Sequence, residues 1–251
     1  FVVTLARAPP QVRMEFILGT GLVDTFKQAD LQGKVIVLFL AVGSIFIWSV
    51  VAAKYSQLKR ARKSAQQFLA TYRKDRDPLG MYLRGVEMHD CPLYRIYRTG
   101  CEEAAAQLSL TEDSIAQSSS GVVVAEMTTM KRDAIRAALD RAIDTELLKL
   151  HSQMGLLSTA VTGGPFLGLL GSAWGIMDVF GRIGEGGTVR ISLVAPGIAA
   201  ALLATVVGLL VAVPSLFSFN LFSAQIRAAT VEMDNFASEF ISALERTHAR
   251  N

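Results

Sequence analysis

Three stretches of this 251-residue chain carry no charged side chain: Val35–Ala53, Ser152–Met177 and Ile191–Ile226. About 20 consecutive, mostly apolar residues of helix cross the hydrocarbon core of a bilayer, and each stretch is long enough to do so. The composition agrees: hydrophobic residues make up 51% and charged residues 19%, against roughly 25% charged in a soluble domain. A chain so short of surface charge is excluded as a disordered tail, a collagen, a disulfide scaffold or a water-soluble enzyme with one core. The expected fold class is all-α: a polytopic membrane protein with three transmembrane helices and long helices extending into the cytoplasm.

The formal net charge is +3. Excess lysine and arginine could mark a nucleic-acid surface, but their placement reads as the cytoplasmic flank of membrane spans. Lys54, Lys59, Arg60, Arg62 and Lys63 follow the first uncharged stretch at once. They put its end in the cytoplasm, the N-terminus outside and, two spans later, the C-terminus inside. Cys91 and Cys101 are the two cysteines. They make no metal set with His89, His151 or His248, and in a cytoplasmic segment they stay reduced.

The organisation follows from these signals. Residues 1–13, with a Pro-Pro break, are expected to be an N-terminal extension, either upstream or non-native, because Met14 opens a more regular segment. Residues 14–34 read as an external amphipathic helix at the membrane surface. Transmembrane helix 1 covers 35–53, and its Trp48 is an interfacial anchor. A cytoplasmic helical domain occupies 54–151. Transmembrane helix 2 is 152–181, a glycine-rich periplasmic loop 182–190, transmembrane helix 3 191–224 and a cytoplasmic C-terminal helix 225–251. Met127, Met130, Ile135, Leu139, Ile143, Leu147 and Leu150 recur at helical spacing. With no stop signal after Gly121, one unbroken helix is expected to run from there into the second span. The 36 uncharged residues from Ile191 would make ~54 Å of helix, more than the ~30 Å hydrocarbon core. The last helix should therefore project into the cytoplasm, with Ile226, Met233, Phe236, Phe240 and Leu244 on its apolar face.

Spans two and three differ from span one in carrying small residues at spacings of three and four. Span two has Gly164, Gly168, Gly171 and Gly175; span three has Gly197, Ala200, Ala201, Ala204, Gly208 and Ala212. Such stripes let helix backbones approach closely where no hydrophobic force drives helices together. Tight packing within one chain explains them as well as a pore lining does. Ser172 and Thr205 place hydroxyls on these stripes, ~14 and ~21 Å down their helices from the external loop. Each can satisfy a backbone carbonyl or line a polar path. Pro165, Pro196 and Pro214 are candidate kinks, each freeing a carbonyl. Asp178 is either an outer entrance to a path or a water-facing interfacial residue. No P-loop, G-x-S-x-G or intramembrane Ser/His pair occurs, so an enzyme is not expected, and neither is a cofactor or metal.

The run Gly168-Leu-Leu-Gly171-Ser172-Ala-Trp174-Gly175-Ile-Met177, with Ala195-Pro196-Gly197-Ile198 and Ala204-Thr205-Val-Val-Gly208, resembles the signature of the TolQ/ExbB/MotA group, over Gly163 to Asn220. The order of elements is closer to TolQ and ExbB than to MotA. The resemblance implies a homopentameric ring in the inner membrane of a Gram-negative-type bacterium. Spans two and three would line its pore, and two aspartate-bearing helices of a TolR/ExbD-like single-span partner would occupy it. Proton motive force would drive rotation or force on the cell envelope. Ser172 and Thr205 match two hydroxyl positions beside the ion path. One position departs from the pattern: Ala200 stands where the family has a glutamate, leaving spans two and three without an ionisable group except Asp178. Two alternatives follow, a non-energised pentameric scaffold and the stator of a gliding or motility machine.

Overall fold

A computed structural model describes residues 31–75, 77–88, 90–107, 129–184 and 191–248. The expected external helix lies almost wholly outside them, as do the residues just after Gly121 and most of the periplasmic loop. The described elements are all helices: α1 (Leu31–Tyr72), α2 (Gly80–Leu83), α3 (Pro92–Gln107), α4 (Thr129–His151), α5 (Met154–Gly184) and α6 (Ile191–His248). Three helical stretches are long and apolar enough to cross a membrane. The helices group into two compact units, each described by itself.

The first unit takes the chain up to Ala52 together with Gln153–Phe219. Its large side chains point outward, as suits a protein whose solvent is hydrocarbon. Leu38, Phe39, Ile45 and Phe46 of α1 are exposed, and so are Phe166 and Met177 of α5 and Leu210 and Phe217 of α6. Ala200, Ala201, Ala204 and Ala212 are buried on α6, alongside larger buried side chains such as Leu40, Leu157, Val179 and Leu203. Pro165 and Pro214 sit inside helices that stay hydrogen-bonded around them, and Pro196 lies near the start of α6.

The second unit takes Ala53–Ser152 and the chain from Asn220 onward. Here the core is large and aromatic. Phe68 and Tyr72 of α1, Tyr94 and Tyr97 of α3, and Phe236 and Phe240 of α6 stack or meet edge-on with centroids 5.2–6.4 Å apart. The apolar face expected on the last helix is all interior: Ile226, Met233, Phe236, Phe240 and Leu244 are buried. Ile135, Leu139, Ile143 and Leu150 of α4 are buried too, whereas Met130 is 82% exposed and belongs to no core. Gly100 lets α3 close on its neighbours, since an added Cβ would lie 2.7 Å from Leu139 Cδ2. Arg95 grips the buried carboxylate of Glu146 with two hydrogen bonds of 2.8 and 2.6 Å, and Lys149 adds a third at 2.7 Å. Cys91 and Cys101 are free and buried.

The expected unbroken helix into the second span is in fact two helices. Between α4 and α5 the chain turns at Ser152–Gln153, and Gln153 takes a left-handed φ of +66°. Lys54, fully buried, donates from Nζ to Ser152 O at 2.8 Å and to Gln57 Oε1 at 3.1 Å. The Ser152 hydroxyl donates to Lys149 O at 2.7 Å. A helix end leaves carbonyls without partners, and a cation is well suited to satisfy them. The stop signal is thus supplied from 98 residues away, which local sequence does not reveal.

Candidate functional site

The small-residue stripes of α5 and α6 meet each other in antiparallel register. A Cβ added at Gly164 would lie 2.9 Å from Gly208 O, one at Gly168 2.9 Å from Thr205 Cα, and one at Gly171 2.6 Å from Ala204 Cβ. At Gly175 it would meet Ala201 Cβ at 2.7 Å, and at Gly197 it would meet Val179 Cγ2 at 2.5 Å. Gly208 is the tightest point against backbone, where the added atom would lie 2.5 Å from Gly164 O. No side chain larger than hydrogen fits there without moving a helix. Ile36 of α1 also reaches Gly171, 3.3 Å from where a Cβ would be, so span one packs on span two while most of its bulk stays exposed.

The two hydroxyls predicted from sequence face one another across this seam. Ser172 Oγ lies 2.5 Å from Thr205 Oγ1 and 2.8 Å from Ala201 O, and Thr205 Oγ1 lies 3.2 Å from Gly168 O. Each hydroxyl has one proton to give, so two protons serve three contacts. Two donor circuits link the hydroxyls, each serving two of the three contacts and leaving one carbonyl without a hydroxyl proton. In one, Thr205 donates to Ser172 and Ser172 to Ala201 O; in the other, Ser172 donates to Thr205 and Thr205 to Gly168 O. Turning both hydroxyls reverses the pair without breaking the seam. Sequence pointed to both residues, but not to their mutual contact or to the two carbonyls that complete it.

The remaining candidates are dispersed. Ala200 is 7% exposed within the unit, a methyl group in a packed interior at the position where the resemblance implied a glutamate. Asp178 lies six residues beyond Ser172 on α5, ~9 Å of helix, and is partly exposed. Ser215, which sequence reasoning passed over, is buried and donates to Val211 O at 2.7 Å, one turn back on its own helix. Its neighbour is Pro214, and a back-bonded serine beside a proline is a local helix feature with no outward donor. Among the described residues no group of histidine, cysteine, aspartate or glutamate could hold a metal ion.

Comparison with known proteins agrees with the seam's sequence. Residues 96–235, more than half the chain and including all of α5 and the membrane part of α6, match the MotA/TolQ/ExbB proton channel family. The Tol-Pal system protein TolQ of Haemophilus influenzae is 27% identical over 232 residues, 89% of this chain and 93% of the relative. The biopolymer transport protein ExbB of Pseudomonas putida is 26% identical over 221 residues, 88% of this chain and 62% of that longer protein. The ExbB of Neisseria meningitidis is 30% identical over 218 residues, 82% of this chain and 88% of the relative. Three apolar helices together with these matches make this an inner-membrane, multi-pass chain, and it belongs to the MotA/TolQ/ExbB proton channel family.

Proposed function

We propose that this chain is the TolQ/ExbB-like subunit of a motor in which proton flow drives rotation or force on the cell envelope. In this proposal five copies form a ring, with the N-terminus periplasmic and the C-terminus cytoplasmic. A TolR/ExbD-like single-span partner supplies the aspartate-bearing helices inside the ring. The observation that carries the proposal is the Ser172–Thr205 pair, two hydroxyls held at 2.5 Å in a seam otherwise made of glycine, alanine and backbone. Hydroxyls that can exchange donor direction suit a place where a proton or hydronium passes. They cannot hold a charge themselves.

With Ala200 at the glutamate position, no carboxylate of this chain titrates at mid-membrane. A carboxylate there costs ~2.5–3.5 kcal/mol on insertion scales and normally signals ion handling, so the titrating acid comes from the partner. The driving force is adequate: ~100 mV is worth ~2.3 kcal/mol per elementary charge, and a few protons per step supply mechanical work. The outer entrance is Asp178. Whether the force serves envelope integrity, import or gliding depends on the partner's outer domain.

Ala200 also favours a second reading, a non-energised pentameric scaffold. The two separate in cells. In a motor, Ser172→Ala or Thr205→Ala leaves the complex assembled but removes its activity, and a protonophore does the same. Activity that survives both would leave the scaffold.

A further inference from the structure

The water-facing unit carries an open groove of about 920 Å³ between the post-membrane half of α1 and the 225–239 segment of α6. Leu58, Leu69, Leu93 and Phe236 floor it, with Arg62 and Lys63 on its α1 side and Glu232 on its α6 side. The Arg73–Glu239 ion pair closes the end farthest from Lys54. Tyr55 and Val231 leave large apolar surface exposed within it.

The outer face of α4 has the complementary pattern. Ala137, Arg141, Asp144 and Leu148 form an exposed stripe at spacings of three and four, and Leu148 is 75% exposed. Asp133 and Asp140 on the same helix are held by Arg132 and Arg136, whereas Asp144 makes no ion pair among the described residues. Leu150 of α4 lines the groove, and at ~100° per residue the stripe points ~120–180° around the helix away from it. Groove and stripe therefore lie on different sides of the unit, as a ring built head-to-tail requires.

The two surfaces also match in height. Lys54 Nζ meets Ser152 O, so α1 and α4 can both be measured from that contact at ~1.5 Å per residue. Along α1, Lys59 stands ~8 Å, Arg62 ~12 Å and Leu69 ~22 Å away. Back along α4, Leu148 stands ~6 Å, Asp144 ~12 Å, Arg141 ~16 Å and Ala137 ~22 Å away. Arg136 donates to Ser238 Oγ, which sets Glu232 at ~15 Å on α6. Copies related by an axis normal to the membrane share one height. Leu148 of one copy then meets the Tyr55–Lys59 turn of the next, Asp144 meets Arg62 and Lys63, Arg141 meets Glu232, and Ala137 meets Leu69.

We propose that the groove takes the outer face of α4 from a second copy of this chain, so that successive copies join head-to-tail through their water-facing units. The interface rests on the ring proposed above and supplies the contact that closes it outside the bilayer.

The test is disulfide trapping in membranes between two differently tagged forms of the full chain, one with Leu148→Cys and one with Lys59→Cys; the native Cys91 and Cys101 are buried. The mass of the purified assembly reports separately whether a ring exists. The expected result is a disulfide between the two forms, at least fivefold more abundant than with Asp133→Cys in place of Leu148→Cys, ~21 Å out of register. Asp144→Lys in the first form should cut the yield at least fivefold, and Arg62→Glu/Lys63→Glu in the second should restore at least half of it. An assembled ring with no disulfide, equal yield in both registers, or no rescue would overturn the interface and leave the ring standing. A monomer would overturn both. Arg62→Cys shielded from maleimide in a ring that forms no disulfide to Leu148→Cys would give the groove to a lipid or a different protein, and would overturn the proposal too.

Discussion

The two units hold themselves together by opposite means. In the membrane unit, α5 and α6 meet through what they lack: glycines whose added Cβ would fall 2.5–2.9 Å from the facing helix. In the water-facing unit, six aromatic rings fill the centre, and the exposed Arg95 holds the buried carboxylate of Glu146. The solvent explains the contrast. In water, burying a large apolar side chain is itself the driving force. In lipid, a phenylalanine is as well solvated outside as inside, so helices gain from close backbone contact and from interhelical hydrogen bonds. The same difference places function. A seam of backbone and small residues leaves two hydroxyls bonded to each other as its polar elements, whereas in the aromatic core the Tyr97 hydroxyl accepts from Tyr82 N and the buried Tyr72 hydroxyl meets no hydrogen-bond partner among the described residues.

Truncating the aromatic core should break the water-facing unit first. Phe68→Ala removes a fully buried ring in contact with four others and should cost ~3–5 kcal/mol. Limited proteolysis should then cleave residues 53–107 readily while α5 and the 191–219 part of α6 stay protected within the bilayer. Equal protection in variant and wild type would mean that the rings are not the core's main support.

A matched pair of glycine substitutions sharpens the comparison. Gly208→Ala drives a methyl group against Gly164 O and should destabilise the membrane unit by ~1–3 kcal/mol, the range for overpacking. Gly100→Ala meets side chains rather than backbone, the Leu139 methyl at 2.7 Å and the Phe240 ring at 3.0 Å, and a side chain can shift with less cost than a helix. Alanine also gains ~1 kcal/mol of helix propensity there, so the net effect should be near zero. Thermal unfolding in detergent ranks the two, and a larger loss for Gly100→Ala would reverse the argument.

Alkaline pH should separate the units more gently. Burial pushes the Cys101 thiol and the Tyr72 and Tyr97 phenols well above their ordinary values. Such groups stay neutral in the fold while the unfolded chain ionises. Their stabilisation is therefore complete below the unfolded values and declines as pH rises through about 8.5 for the thiol and about 10 for the phenols. Protease resistance of the water-facing unit should fall across that window, and alkylation of Cys101 at pH 8 should be slow. All tyrosines and cysteines lie in residues 55–101, so the membrane unit should show no matching loss.

Much of this was legible in sequence, for physical reasons. Charge gaps marked the spans because lipid excludes charge, and the three-and-four spacing of glycine and alanine gave the seam its register. Local patterns could not show that Lys54 ends α4, because the lysine and the carbonyl it binds are far apart in the chain. Met130 fitted the helical spacing yet is exposed, since periodicity identifies a face but not how far along the helix its partner extends. Ser172 and Thr205 stood out as polar residues, but their contact depends on how α5 and α6 are staggered, which is fixed in three dimensions.

The most direct measurement is proton flux through the chain assembled with its partner in liposomes, comparing Thr205→Val with Thr205→Ser. Valine keeps the shape of threonine and loses the hydroxyl, whereas serine keeps the hydroxyl. The account predicts that the valine variant assembles normally yet loses at least nine-tenths of the flux, and that the serine variant retains most of it. Full flux through the valine variant would contradict it, leaving the hydroxyl pair as helix packing alone.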